Sequence, residues 1–499
     1  MQRFVDRAAA SRIRRVKGRA PGRVHASHAT PGTCIRIESS CCWQITGLNR
    51  RASNVRPRGF GALSAIRKSI GRRLGRGLDI LKYVAVAIAA SLVTLAVINL
   101  MPEPRVLRSI VPHRFDAADA QFAKSMTNYS QGQMFDANAV QTLVNGDEIF
   151  PAMLRAIHAA RSTIDMETYI YWSGSVGYEF ATSLAAKARE GVEVRVLVDW
   201  VGSLPFDEDL IHIMTSAGVR FQRYRPVYWY TLDRVNNRTH RKLLITDGKV
   251  AFTGGVGIAD NWLGDARNPD EWRDTHYQIE GPAVAAFQAA FAENWLETVG
   301  ETLQGEKFYP PPEAVGSLSA QLILASQPNG SENMELMMLA AMAAAKDHIR
   351  IGMAYFVPDD IALQQILDAR KRGVAVDVIV PNALTDVPIV RKGSRYFWGE
   401  LLEAGVRIYE FQPTMYHPKL LIVDDVWATF GSANLDERSL RLNDEVNLNV
   451  YGKAFAQTQI DLFNRDLGQS RQISLEEWQA RPFTEKVTDW LASRLHTQL

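Results

Sequence analysis

The stretch His240-Arg241-Lys242-Leu243-Leu244-Ile245-Thr246-Asp247 returns further along the chain as His417-Pro418-Lys419-Leu420-Leu421-Ile422-Val423-Asp424. Both copies read His-x-Lys-x4-Asp and both run through apolar, strand-favouring residues. In both, a glycine and a small residue follow the Asp, as Gly254-Gly255 and Gly431-Ser432. On an extended strand residues two apart share a face, so each His and its Lys point into a common space while the residues between Lys and Asp fill a core. An imidazole beside an ammonium suits a phosphate, which calls for a nucleophile or proton donor next to fixed positive charge. Two copies supply two imidazoles, one to attack phosphorus and one to protonate the leaving alcohol. No Cys and no carboxylate cluster stands near the motifs, so neither a metal nor any other cofactor is expected.

The second motif continues as Gly431-Ser432-Ala433-Asn434-Leu435-Asp436-Glu437-Arg438-Ser439-Leu440-Arg441-Leu442-Asn443-Asp444-Glu445, and Trp272-Arg273-Asp274 follows the first. With these continuations the chain resembles the phospholipase D superfamily and, within it, the bacterial cardiolipin synthases, over about residues 130–480. The resemblance implies that His240 is the nucleophile, forming a phosphohistidine, and that His417 is the general acid and later the base. It implies that Lys242 and Lys419 hold the phosphate oxygens, with Asn434 and Ser432 on the substrate side. Each imidazole needs a carboxylate on its far nitrogen to fix the tautomer, and Asp274 and Glu445 fit that role. Asp247 and Asp424 complete the catalytic motifs, and their place at a strand end reads as a structural tie to neighbouring backbone. One departure stands out: where the second copy has Asn434, the first has Gly257. A missing phosphate donor could cost about 2–4 kcal/mol unless a backbone N–H or water replaces it.

The regions around the motifs align as two copies of one α/β unit. The segments 148–160 (helix) and 163–171 (strand) match 334–345 and 348–356, and 177–199 matches 361–381. Helices alternating with β-branched strands predict an α/β fold of two tandem phospholipase D-type repeats, 133–310 and 311–470, each a sheet flanked by helices. The active site then forms where the repeats meet, in pseudo-two-fold fashion. A helical tail over 471–499 is expected to pack on the second repeat, with interfacial membrane contact as the other reading.

The net charge of +3 hides an asymmetry, because residues 1–82 hold 19 Lys/Arg against Asp6, Glu38 and Asp79, which leaves residues 83–499 at −13. A generally basic nucleic-acid binder is therefore excluded for the repeats, and no nucleic-acid partner is expected. Residues 1–60 read as a disordered basic stretch with some likeness to a transit segment, and all three cysteines, Cys34, Cys41 and Cys42, lie there. Residues 61–82 read as a basic amphipathic helix and 83–101 as a transmembrane helix. The linker is expected over 102–132. The excess of Lys/Arg before the span predicts a single-pass cell-membrane anchor with its N-terminus inside and the repeats extracytoplasmic.

Before its motif the first repeat carries extra residues, including Tyr224, Pro226, Tyr228, Trp229 and Tyr230 among Arg223, Arg225, Arg234 and Arg238. They suit either a lipid headgroup interface or a loop packed over the repeat. The function the sequence favours is a membrane-anchored phosphatidyltransferase that makes cardiolipin from phosphatidylglycerol-type lipids, with phospholipids and membrane as partners. Water as acceptor would make the same site a phospholipase D or another phosphodiesterase. A catalytically silent lipid-binding scaffold is the reading that Gly257 keeps open.

Overall fold

The computed structural model describes residues 60–100, 107–228, 236–326, 332–495 and 498. The expectations for residues 1–59, their cysteines included, and for Trp229, Tyr230 and Arg234 fall outside the described residues. The chain divides into two units, 1–80 and 81–499. One helix, Phe60–Leu100, covers both the amphipathic and the apolar segments expected from the sequence, as a continuous element. Among the described residues it contains the one helix segment, Ser64–Leu95, long and apolar enough to cross a membrane.

The second unit is built on a long sheet. The first repeat supplies β1 (Met134–Val144), β2 (Thr163–Thr168), β3 (Glu193–Asp199), β4 (Arg220–Tyr224), β5 (Leu243–Thr246), β6 (Val250–Gly254) and β7 (Thr275–Glu280). From the second come β8 (Leu318–Ala325), β9 (His348–Met353), β10 (Phe356–Val357), β11 (Ala375–Pro381), β12 (Arg407–Phe411), β13 (Lys419–Val423), β14 (Trp427–Gly431), β15 (Leu435–Asp436), β16 (Glu445–Tyr451) and β17 (Ser470–Ile473). Among the described residues fifteen of these form one sheet in the order β17-β12-β11-β9-β13-β14-β16-β8-β1-β7-β6-β5-β2-β3-β4, while β10 and β15 pair separately. Read outward from the β1–β8 seam, the two halves repeat each other, with β17 as an extra edge.

A sheet flanked by helices in each repeat was the expectation, without a statement of how the two sheets meet. In the structure β1 and β8 pair antiparallel across the seam and fuse them. The pairing slips between Phe135 and Asn138, and the buried Asn138 amide repairs the bulge. Its nitrogen donates to the carbonyls of Phe135 and Leu318, and its oxygen accepts from the Ala283 N–H.

Helices cover both faces. On one face each repeat has its own apolar core, around Ile149, Phe180 and Trp262 in the first and around Met338, Ile366 and Trp398 in the second. On the other, the helices Val284–Val299 and Lys453–Leu467 share a single core spanning the seam, in which Tyr277 of β7 stacks on Phe430 of β14 at 3.5 Å between centroids. The repeats are thus one hydrophobic body, and their mutual placement is fixed by burial as well as by the sheet.

The stretch expected as a linker over 102–132 is, in its described part, folded. Asp119 caps the helix Ala120–Ser130, and Phe122 and Met126, one turn apart, are buried against the core of the second repeat. Upstream, the N–H groups of Val111 and Ala117 donate to Gln365 and to the Ala344 carbonyl. Two apolar residues four apart in a polar context were enough to dock this helix.

Candidate active site

Both motif strands end in three-residue hairpins whose first residue, Asp247 or Asp424, is left-handed, with φ of 54° and 53°. Asp tolerates that conformation better than most side chains. The Asp247 carboxylate accepts the N–H groups of Arg161, Ser162 and Thr163, and Asp424 accepts those of Lys346, Asp347 and His348. Each Asp clamps its hairpin to the start of the neighbouring strand, β2 or β9. Backbone donors thus take up the carboxylate oxygens of both, as a tie between strand end and neighbouring backbone.

At the other end of each strand the motif His meets the opposite repeat. The His240 N–H donates to the Asp444 carbonyl and the His417 N–H to the Arg273 carbonyl, at 2.9 and 2.8 Å. These backbone bridges carry the carboxylates across. His240 Nδ1 lies 2.9 Å from Glu445, in the second repeat, and His417 Nδ1 lies 2.7 Å from Asp274, in the first. With Nδ1–H donated to a carboxylate, each ring keeps Nε2 on its other side as the unprotonated nitrogen. Arg273 is itself fixed by paired hydrogen bonds to Asp466, and Tyr224 donates to Asp444 at 2.7 Å, so each crossing has a second anchor.

The lysines turn back onto their own motifs. Lys242 Nζ donates to the His240 carbonyl at 2.7 Å, and Lys419 Nζ makes the same bond to His417 while lying 3.1 Å from its ring. All four groups are buried or nearly so, which disfavours their charged forms. Burial pushes His240 down to about 4, against the pull of Glu445 and with a further push from Lys242. His417 is lowered by burial and then by Lys419. Burial brings Lys242 to about 7 and Lys419 to about 8, their carboxylate neighbours opposing the fall. For Glu445 and Asp274 burial would raise the pKa, but the adjacent imidazoles and ammoniums outweigh it and hold both below the usual range. Two imidazoles and two lysine amines thus stand together in a buried site with two ionised carboxylates behind them.

The family model described as cardiolipin synthase, PLD-like domain matches residues 153–295 and 338–467, one segment in each repeat. The chain belongs to that family. It is 35% identical over 352 residues to cardiolipin synthase 2 of Bacillus anthracis, covering 70% of this chain and 68% of the relative. It is also 35% identical over 356 residues to the cardiolipin synthase of Geobacillus kaustophilus, covering 71% of each. Among solved structures the phosphatidylserine synthase of Haemophilus influenzae Rd KW20 shares the fold, with a TM-score of 0.57 over 76% of this chain and all of the other, at 14% identity.

Within this cardiolipin synthase fold the two halves of the site are not equivalent. Ser432 is buried and donates to Glu445, while its oxygen accepts the Val446 N–H at 3.0 Å. In this structure it thus holds the carboxylate that faces His240. Gly255 stands at the matching position, where a Cβ would lie 2.2 Å from Asp274 Oδ1. Trp262 takes over the role of Ser432 there, donating from Nε1 to Asp274 at 2.8 Å. Asn434 is buried, and its side-chain oxygen has no hydrogen-bond partner within the protein. At Gly257 a Cβ would lie 2.9 Å from Ile170 and 3.2 Å from Trp262, so those side chains fill the space an Asn would need.

Several residues around the imidazoles were given no role from the sequence. His417 is caged by the rings of Trp262, Trp272 and Tyr355, and His240 meets the edge of Tyr169. Tyr355 donates to Asp386 at 2.6 Å, a carboxylate just before the helix Pro388–Glu403 that favours the charged form of His417. Tyr169 and Tyr355 both follow the strand beside a motif strand, and that position is the signal that could have found them. The aromatic and basic insertion before the first motif divides. Tyr224 and Arg238 are buried, Arg238 paired with Asp199 and Arg225 with Glu297, so these residues brace the crossing rather than face lipid. Tyr228 is exposed.

Proposed function

We propose that this chain is a phosphatidyltransferase that makes cardiolipin, using His240 as nucleophile and His417 as acid and base. The observation that carries the reading is the crossed pair of His–carboxylate contacts beside Lys242 and Lys419, in a chain of the cardiolipin synthase family. Neutral His240 attacks the phosphorus of a phospholipid phosphodiester through Nε2, and the P–O bond to the headgroup alcohol breaks. His417, protonated once the anionic phosphate raises its proton affinity, gives that proton to the leaving alkoxide. The ammoniums of Lys242 and Lys419 and the Asn434 amide hold the non-bridging oxygens as charge grows on them. A hydroxyl of a second lipid then loses its proton to His417 and attacks phosphorus, the P–N bond breaks, and His240 is regenerated. With phosphatidylglycerol as donor and acceptor the products are cardiolipin and glycerol. The aromatic cage around His417 keeps bulk water from the acceptor side, which supports transfer over hydrolysis.

The apolar segment within Ser64–Leu95, preceded by Arg67, Lys68, Arg72 and Arg73, supports a single-pass anchor with its N-terminus in the cytoplasm and the repeats outside. Expressing the chain in a strain that lacks its own cardiolipin tests the activity, since cardiolipin should appear with the wild type and not with His240→Ala. Phosphatidic acid without cardiolipin would make the chain a hydrolase instead. A reporter fused after Leu499 that works only in the cytoplasm would reverse the orientation.

A further inference from the structure

The C-terminal helix Phe483–Ser493 packs inside out. Its inward side carries Asp489, Ala492 and Ser493, which are buried, and Asp489 is held by Arg395 at 3.6 Å and Arg481 at 2.8 Å. Its outward side carries Phe483, Val487, Trp490 and Leu491, continued by Leu495, all of them exposed. The i, i+4, i+7, i+8 spacing makes this one continuous stripe opposite the buried side. A helix folded only against its own domain would turn that stripe inward, whereas here two ion pairs hold the polar side in. Arg494 lies within the stripe and covers Trp490 at 5.0 Å, and Lys486 flanks it.

The helix beneath, Pro388–Glu403, joins this face to the active site. Arg395 on it pairs with Asp489 and Glu485, and Trp478 packs so closely on its Gly399 that a Cβ there would lie 2.2 Å from the indole. Just before its start stands Asp386, the hydrogen-bond acceptor of Tyr355 beside His417. Around that start Leu384, Ile389 and Tyr396 are exposed as well. Exposed apolar side chains thus stand both on the last helix and on the helix beneath it, whose start lies next to the residues around His417.

We propose that the outward face of Phe483–Ser493, with Leu495 and the exposed residues around Ile389, is a docking surface for a phospholipid bilayer and turns the mouth of the active site toward the lipid. The occupant follows from chemistry on this face. A bulky apolar stripe carrying a Trp, with cations inside it and at its border, matches the boundary between acyl chains and anionic headgroups, where Arg and Lys extend to phosphate. The proposal rests on the reading that the substrates are membrane phospholipids, and it adds a second membrane contact to the N-terminal span.

The test uses the full chain in vesicles of phosphatidylcholine and phosphatidylglycerol, with Cys34, Cys41 and Cys42 replaced by Ser. An environment-sensitive dye is placed at Leu491→Cys and, as reference, at Thr458→Cys, exposed on the helix Lys453–Leu467 that covers the other sheet face. Spin-labelled acyl chains should quench the dye at 491 about threefold more than at 458, with a blue-shifted emission. Equal quenching at both sites by lipid label and by aqueous iodide overturns the proposal. So does disulfide cross-linking of two Leu491→Cys chains to each other without lipid quenching, which assigns the face to a second copy. The double variant Phe483→Ser, Leu491→Ser should turn over vesicle phosphatidylglycerol about tenfold more slowly while keeping its rate on a short-chain lipid in detergent. An equal fall on both substrates would overturn the docking role. Lipid quenching at 491 in a chain that makes no cardiolipin would remove the functional reading and leave the docking surface standing.

Discussion

His240 is paired at 2.9 Å with Glu445, a carboxylate 205 positions further along the chain, and not with one from its own repeat. The reciprocal contact joins His417 to Asp274. Glu445→Gln and Asp274→Asn should each lower kcat by about 10²–10⁴, since the amide removes the charge that stabilises an imidazolium and can hold the wrong tautomer. Imidazole proton and nitrogen chemical shifts report that tautomer directly. If Glu445→Gln moves the signals of His417 and not those of His240, the pairing is wrong.

Removing either imidazole should abolish turnover, but the two losses differ. With His417→Ala a donor lipid whose leaving alcohol is already acidic should still phosphorylate His240, because such a group leaves without a proton donor. Acid-labile, hydroxylamine-sensitive label recovered on the peptide carrying His240 is the expected result. Label on a peptide carrying His417 from the His240→Ala protein would exchange the two roles.

Alkaline pH should weaken substrate binding before it slows chemistry. Lys242 at about 7 and Lys419 at about 8 are charged below those values and neutral above them, so rising pH strips the free enzyme of the charges that attract phosphate. Bound phosphate raises both pKa values, hence KM should climb through pH 7–9 while kcat changes less. His240, at about 4, stays neutral across the range and should give no acid limb above about pH 5. A kcat profile that falls in parallel with kcat/KM across pH 7–9 would argue against these assignments.

Asp247→Ala strands the three N–H groups its carboxylate now accepts and leaves Ala in a left-handed turn. A loss of about 2–4 kcal/mol is expected, visible as a lower Tm, while the folded fraction keeps kcat within about threefold. Asp247→Asn should be milder, because Asn also tolerates that backbone conformation. A kcat drop of several orders of magnitude at unchanged Tm would return this Asp to the catalytic set.

Gly257→Asn should not improve the enzyme. A Cβ there meets Ile170 at 2.9 Å, so the new side chain displaces the packing behind the site instead of adding a phosphate donor. Reduced stability and reduced rate are expected together. A faster enzyme of equal Tm would show that the first repeat does have room for the amide.

Much of this was legible in the sequence, for a physical reason. Phosphate chemistry constrains residue type and spacing, so His240, Lys242, His417 and Lys419 declared themselves, and helical and alternating periodicities marked most elements between them. The crossing did not, because which carboxylate meets which imidazole is decided by backbone bridges such as that between His240 and Asp444, between distant segments. The fused sheet was hidden likewise, since β1 and β8 look alike to their own repeats and to each other. The helix Ala120–Ser130 escaped because only Phe122 and Met126 mark its buried side. At Ser432 the resemblance suggested a ligand contact where the hydroxyl donates to Glu445, and at Gly255 the missing side chain leaves room for Asp274.

The crossed carboxylates also bear on how the enzyme comes into being. The first repeat leaves the ribosome with its nucleophile but without Glu445, and the bridging carbonyl of Asp444 is made only after almost the whole second repeat. A half-made chain, or a fragment released by a protease between the repeats, therefore lacks the carboxylate that pairs with its imidazole. Lipid-cleaving power arrives late in synthesis, with β16, the strand that starts at Glu445.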